Sequence, residues 1–238
     1  MPAERYFIES LFIQGQELCI EGVELHHLVH VMRARPGDCI EVVNGKGLLG
    51  TAQIKSIGKK SAFLEIQSIT EEPVPPCRII LAQAIPRINR LDFIMEKGTE
   101  LGMSEIWLFP GKYSERKSFT PHQQERLKAI AISALKQCGR LYLPLIEFKP
   151  PLDKWETIAC PAYFGDTKPD APPFAKLRPQ QTPQEIIFFI GPESGFAEDE
   201  LAQLAALGAA GVKLHQNILR TDTAALVALV HCQNTTPL

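Results

Sequence analysis

The chain has 238 residues, 45% of them hydrophobic and 22% charged, with a net charge of −2. That is the make-up of one or two ordinary folded domains, and the near-neutral balance gives no reason, over the chain as a whole, for a polyanionic partner. The opening MPAERYFIES lacks a basic-then-apolar leader, no apolar run approaches the ~18 residues that span a bilayer, and six scattered cysteines without a CxxC pair fit reduced thiols in the cytoplasm better than a disulfide framework or a zinc site.

Residues 1 to 70 read as short strands and turns. CIEVVNGKGLLGTAQI is strand, turn and strand, with Asn44-Gly45 as the hairpin signal, and SAFLEIQSI alternates as a further strand. One helix stands out, GVELHHLVHVMR, with Leu25, Leu28, Val29 and Met32 on a common face. Together these predict a small β-barrel domain. From Arg33 to Lys60 six basic residues, among them Arg33, Arg35, Lys59 and Lys60, face only Asp38 and Glu41; such a stripe suits either phosphate contacts or a solvated surface. The proline-rich EEPVPPC (71–77) is a linker, which divides the chain into domains 1–72 and 73–238.

Beyond it strands and helices alternate. RIILAQAI (78–85), EIWLFP, PAYFGD, EIIFFIG and GVKLH are strands; RLDFIMEKGTELG (90–102), a helix opened by Thr120, Pro121 and Gln123 and stopped by Gly139, EDELAQLAALG, and the helix from Asp222 lie between or after them. This order predicts an α/β domain with a parallel sheet covered on both faces. Residues 166–184 hold five prolines and read as a long surface loop.

Three motifs do not carry chemistry. Gly45, Gly47 and Gly50 spell GxGxxG inside a hairpin rather than before a helix; Ser194 stands one place too late for a nucleophile elbow; His26 and His30 are four apart with no acid or third ligand beside them. IGPESGFAEDE (190–200) and GVKLHQNILRTDTA (211–224) are different. Each is a strand end running through a loop into a helix, and in a parallel sheet such ends converge on one crevice where glycines let backbone amides approach a ligand. Arg220 faces that crevice and sits just outside a helix N-terminus, where the backbone dipole repels a cation. Either Asp222 neutralises it or the site needs a fixed positive charge.

Arg5-Tyr6-Phe7, HHLVHVMR, KGTELG (97–102), Ser114-Glu115-Arg116, QCGR (137–140), IGPESGF and NILRTDTA together resemble, over the whole length, the bacterial RsmE family: 16S rRNA uracil-N3 methyltransferases of the SPOUT superfamily. The resemblance implies an N-terminal PUA-like barrel, a C-terminal α/β domain with a deep trefoil knot, a homodimer, S-adenosylmethionine as cofactor, no metal, and 16S rRNA of the small ribosomal subunit as partner. It places the cofactor against Gly191, Pro192, Glu193, Ser194 and Gly195 and against Leu214, His215, Asn217, Ile218, Leu219 and Arg220, largely through backbone groups. The adenine is expected among Ile190, Leu214, Ile218 and Leu219, with Phe164 and Gly165 nearby. Arg116, Gln137 and Arg140 join Arg33, Arg35, Lys59 and Lys60 on the RNA side. Four positions depart from the family pattern: Ser194 and His215 replace glycines that line the cofactor loops, Lys136 replaces a glutamate, and Ala197 replaces a helix-capping serine.

The implied reaction needs uracil N3 as an anion, and a positive charge beside the ring favours it. Arg220 suits that role. Glu193 suits proton acceptance or, equally, stabilisation of a nearby helix N-terminus. The departures at Ser194 and His215 also fit a rival, an RNA-binding protein that kept the barrel and lost the pocket. A SPOUT enzyme acting on tRNA ribose is disfavoured by the barrel and by ILRTDTA.

Overall fold

A computed structural model describes residues 4–233. The chain divides into two units, one formed by residues up to Val74 together with Ile132–Leu143, the other by Pro75–Ala131 together with the chain from Pro144 onward. The first break falls within two residues of the linker boundary expected at 72. The second, which carries 132–143 into the first unit, was not expected.

In the first unit β1 (Arg5–Phe7), β2 (Glu17–Glu21), β3 (Cys39–Val43), β4 (Leu48–Ile57) and β5 (Ser61–Glu71) form a sheet in the order β1-β3-β4-β5-β2. Alternation sends Ala62, Leu64 and Ile66 inward to a core with Tyr6, Phe12, Leu18 and Ile54. The Asn44-Gly45 hairpin joins β3 to β4 as expected: Asn44 Oδ1 accepts the Lys46 and Leu48 N–H groups at 2.8 and 3.1 Å, and Gly45 takes φ +71.

The helical stretch corrects one expectation. α1 (Gly22–His26) widens into a π-helical turn over His27–Val31, closed by the Met32 N–H on the His27 carbonyl five residues back at 3.0 Å. The wider turn rotates the residues beyond it, so Leu25 and Leu28 stay buried while Met32 is 39% exposed. Arg33 ends the turn at φ +56, the one described non-glycine in the left-handed region.

Segment 132–143 joins this unit because its apolar and backbone groups are satisfied there. Leu135 and Leu141 form a small core with Val43, Phe7, Leu49 and Leu143; the Gly47 N–H donates to the Leu141 carbonyl at 3.0 Å, and the Leu143 N–H to Gly45 at 2.9 Å. Gly47 is required, since a Cβ there would lie 2.5 Å from the Tyr142 hydroxyl. Lys136, the residue that departs from the family's glutamate, is held by both oxygens of Glu24 at 2.8 and 3.0 Å, so its charge is neutralised within the unit.

The second unit contains β6 (Arg78–Ala84), α2 (Ile88–Glu100), β7 (Glu105–Phe109), β8 (Leu145–Phe148), β9 (Ala162–Gly165), α4 (Phe174–Leu177), β10 (Glu185–Ile190), α5 (Glu198–Ala206), β11 (Ala210–Val212) and α6 (Thr221–Gln233). α3 (Pro121–Cys138) begins in it and ends in the first. Its N-terminus carries the expected capping box, with the Thr120 N–H on Gln123 Oε1 at 3.0 Å and the Gln123 N–H on Thr120 Oγ at 3.4 Å. The six strands are all parallel, in the order β11-β9-β10-β6-β7-β8. From β6 the chain steps outward through β7 and β8, then returns on the other side through β9 and β10. The reversal lies between β6 and β10, and ligands of open parallel sheets bind outside the strand C-termini at such a point. β8 and the short α4 inside the proline-rich stretch were not expected. The last strand stops at Val212, leaving Leu214 and His215, expected within it, in a loop. Among the described residues no helix is long and apolar enough to cross a membrane.

Candidate active site

At the C-terminal ends of β9, β10 and β11, the glycine-bearing loop after β10 and the loop from β11 to α6 enclose a cleft of about 670 Å³. Its wall includes Gly165, Ile190, Gly191, Pro192, Glu193, Ser194, Gly195, Leu214, His215, Asn217, Ile218 and Leu219, all expected there. Two expected contacts are not on it. The Phe164 side chain turns into the sheet core, its ring over Gly211, where a Cβ would lie 2.8 Å from Cζ. Arg220 follows wall residue Leu219, but its own side chain is exposed beside the cleft. Sequence reasoning missed Asp166, Thr167, Lys213 and Thr221 on the wall. Asp166 had a readable signal, as an acid at the end of the strand beside the glycine loop.

Gly191 opens the first loop because the loop folds tightly back: a Cβ there would lie 3.0 Å from the carbonyl carbon of Gly195 and 3.2 Å from the Phe196 nitrogen. The turn closes with the Gly195 N–H on the Pro192 carbonyl at 2.9 Å, and Gly195 sits at φ +74. Ser194 and His215, the replacements for family glycines, lie outside the left-handed region, so both fit without backbone strain. His215 also braces its own loop, Nδ1 accepting the Asn217 N–H at 3.1 Å, and His231 Nε2 lies 3.3 Å from the Leu214 carbonyl. The missing serine cap at Ala197 is offset by the buried Glu200, whose two oxygens accept the N–H groups of Ala197 and Lys112, each at 2.9 Å.

Asp222 does not pair with Arg220. One of its oxygens takes Arg90 Nη1 at 2.5 Å and the other the Thr223 N–H at 3.0 Å. The Arg220 side chain has no hydrogen bond or ion pair to any described residue, so its exposed guanidinium, next in sequence to wall residue Leu219, is unneutralised. Glu193 is engaged: Oε1 accepts the N–H of Arg87, the residue at the N-terminus of α2, at 3.0 Å. A carboxylate so placed beside the N-terminus of a helix is favourable to the helix dipole. The Arg87 guanidinium in turn pairs with Glu115, whose hydrogen bonds push it above the ordinary arginine range.

Arg33, Arg35, Lys59 and Lys60 are exposed on the first unit, with no side-chain partner among the described residues. Gln137 is exposed in the same unit, and Arg140 is half-buried there, burial lowering its pKa from the usual value. Arg116 belongs to the second unit, where its Nη1 lies 3.5 Å from Gln123 Oε1. His26 and His30 lie with ring centres 4.8 Å apart and their planes tilted at 38°.

An RNA methyltransferase domain family matches residues 73–233 and an RNA methyltransferase PUA domain family matches residues 20–67. Ribosomal RNA small subunit methyltransferase E of Bacillus subtilis is 29% identical over 95% of this chain and 94% of its own length. The protein of that name in Synechocystis is 30% identical over 87% and 69%. Among solved structures, ribosomal RNA small subunit methyltransferase E of Neisseria gonorrhoeae bound to S-adenosyl methionine superimposes with a TM-score of 0.84 at 29% identity, covering 98% of both chains. A Legionella pneumophila protein described as a methyltransferase, with its bound cofactor SAM, gives 0.89 at 27% identity and the same coverage.

Proposed function

The chain belongs to the ribosomal RNA small subunit methyltransferase E family, and we propose that it methylates N3 of a uridine in 16S rRNA of the small ribosomal subunit. It uses S-adenosylmethionine, the cofactor with which related structures were solved. The observation that carries the proposal is the cleft itself: a tight glycine-built loop after β10 facing a second loop between β11 and α6, with an exposed, unpaired arginine next to the second loop's wall residue Leu219.

The residues present fit the cofactor. Ile190, Leu214 and Leu219 give an apolar wall; the backbone N–H groups of Ile218, Leu219 and Arg220 have no acceptor among the described residues; and Asp166, at a strand end, offers a carboxylate to hydroxyl donors such as those of a ribose. When bound, S-adenosylmethionine supplies an electrophilic methyl group on its sulfonium. The chain's own task is to hold the uracil edge in line, largely an orientation effect, and to favour loss of the N3 proton. Arg220 does the second by placing a fixed cation beside the ring, where the charge over O2, N3 and O4 develops. Glu193 holds α2 and the first loop together. Because the reacting edge of the base is normally paired, the substrate is an unpaired or splayed uridine.

The rival reading, an RNA-binding protein without a working pocket, drew its support from Ser194 and His215. Neither strains the backbone, and the cleft is formed around both. Incubating the chain with S-adenosylmethionine and either free 16S rRNA or assembled small subunits, then analysing nucleosides, tests the proposal. 3-Methyluridine is the expected product; saturable RNA binding with no methylated nucleoside from either substrate overturns it in favour of the rival.

On the RNA side, Arg33, Arg35, Lys59 and Lys60 position substrate through its phosphates. Replacing all four by alanine is expected to weaken RNA binding and to flatten its salt dependence by a slope of roughly 3 units, at about 0.7–0.9 per phosphate contact. Affinity for S-adenosylmethionine should not change. A salt titration with an unchanged slope would remove the first unit from the RNA interface.

The protein acts as a cytoplasmic homodimer. α6 supports this: its buried face packs on α2, β6 and β10, yet Val230 on its outer side is 43% exposed and Leu226 and Val227 are only half-buried. Sedimentation at micromolar concentration is expected to give a dimer, and a stable monomer counts against it. The knot belongs to the same proposal. The chain leaves edge strand β11 and returns to pack α6 against β10 and β6, further in along the sheet beyond β9, the kind of crossing a threaded C-terminus needs.

A further inference from the structure

Strand β6, RIILAQA, is apolar after its first residue except for Gln83, and Gln83 is fully buried. Its Nε2 lies 2.8 Å from the Ala84 carbonyl, 3.1 Å from Thr221 Oγ, 3.2 Å from the Gly191 carbonyl and 3.3 Å from the Ile190 carbonyl. Thr221 Oγ donates to the Gly191 carbonyl at 2.6 Å. Gln83 Oε1 has no partner among the described residues. An amide buried with an unmet acceptor is a poor way to stabilise a core, where an apolar side chain of the same size leaves nothing unsatisfied.

What the amide does hold is specific. Gly191 is the root of the first cleft loop, and Thr221 is where the second loop enters α6. Those loops leave β10 and β11, which are not neighbours: β9 lies between them. The sheet ladder therefore does not fix one loop to the other. Gln83, on the opposite side of β10, grips both ends through the Gly191 carbonyl and the Thr221 hydroxyl.

We propose that Gln83, acting through Thr221, is the positioning residue that locks the two cleft loops to each other and so shapes the cofactor site. This rests on the cleft being that site. Gln83 touches neither cofactor nor base and acts only through the loops.

Gln83→Met keeps the volume and removes the donor. The expected result is faster exchange of the hydrogen-bonded amides in both loops together, Gly195 in the first and Asn217 in the second, and a loss of S-adenosylmethionine affinity of roughly tenfold, the size of one lost buried hydrogen bond, seen in KM for the cofactor far more than in kcat. Thr221→Val should reproduce the faster exchange in both loops, and Thr221→Ser, which keeps the hydroxyl, should return that exchange to the level of the unaltered chain. Because the two side chains form one network, Gln83→Met combined with Thr221→Val should cost little more than either alone. If Gln83→Met does not fold, the Thr221→Val and Thr221→Ser pair carries the same comparison. Unchanged exchange, exchange raised in one loop alone, or effects that multiply in the double variant overturn the proposal. The exchange measurement needs no ligand, so a chain that fails to bind S-adenosylmethionine, which overturns the methyltransferase function, still decides this one.

Discussion

Arg220→Ala is expected to cost about 10²–10³ in turnover, the usual effect of deleting one preorganised charge-stabilising donor, with far less loss of cofactor affinity. The asymmetry comes from placement. The Arg220 side chain is exposed beside the cleft rather than on its wall, so removing it leaves the cofactor's surroundings intact. Nor does it orphan a carboxylate, since Asp222 is already paired with Arg90. Stability should therefore hold or rise slightly as a cation leaves the N-terminus of α6. Arg220→Lys should recover only part of the activity, because one ammonium does not reproduce the planar guanidinium fork. Raising the pH should narrow the gap between the alanine variant and the unaltered chain: more uracil ionises unaided, and the missing cation matters less. Steady-state kinetics across neutral to alkaline pH measure all three. A variant with intact turnover and no alkaline rescue would reduce Arg220 to a residue of the loop.

The features that survived from sequence to structure are those with a local physical cause. Asn44-Gly45 dictates a turn, Thr120-Pro121-x-Gln123 dictates a helix start, and the unbroken apolar run in EIIFFI dictates a strand buried on both faces; each holds wherever the rest of the chain goes. The two cleft loops were legible for the same reason, since the passage from a strand end through a loop into a helix needs no distant information. Three things were not. The π-helical turn that exposes Met32 depends on an extra residue per turn that an apolar pattern of period 3.6 does not register. The transfer of 132–143 to the first unit depends on pairing between Leu141, Leu143 and the hairpin near Gly45, far away along the chain. Asp222 looked like the partner of Arg220 because it is close in sequence, whereas its real partner, Arg90, is 132 residues away. Nearness in sequence misled there, and it hid Gln83 entirely, because a lone glutamine in an apolar strand carries no pattern.

The same loop geometry sets the other large effect, expected from Gly195→Val. Gly195 sits at φ +74, where a side chain is disfavoured by roughly 1–2 kcal/mol and a β-branched one by more. No atom lies within 4 Å of where its Cβ would be, so the harm comes from the backbone and not from a clash. To relieve it the residue must leave the left-handed region, which breaks the Gly195 N–H bond to Pro192 and reopens the turn. The turn has little room to relax locally, because Gly191 is packed so closely against Gly195 and the Phe196 nitrogen that even a Cβ on it would lie 3.0 to 3.2 Å from them. The expected outcome is loss of S-adenosylmethionine binding in calorimetry, with cooperative thermal unfolding retained, since Gly195 contributes nothing to the core between β6 and β10. Gly195→Ala separates strain from bulk: alanine tolerates the left-handed region better than valine, so it should retain measurable but weakened affinity. Undiminished affinity in the valine variant would place the cofactor elsewhere.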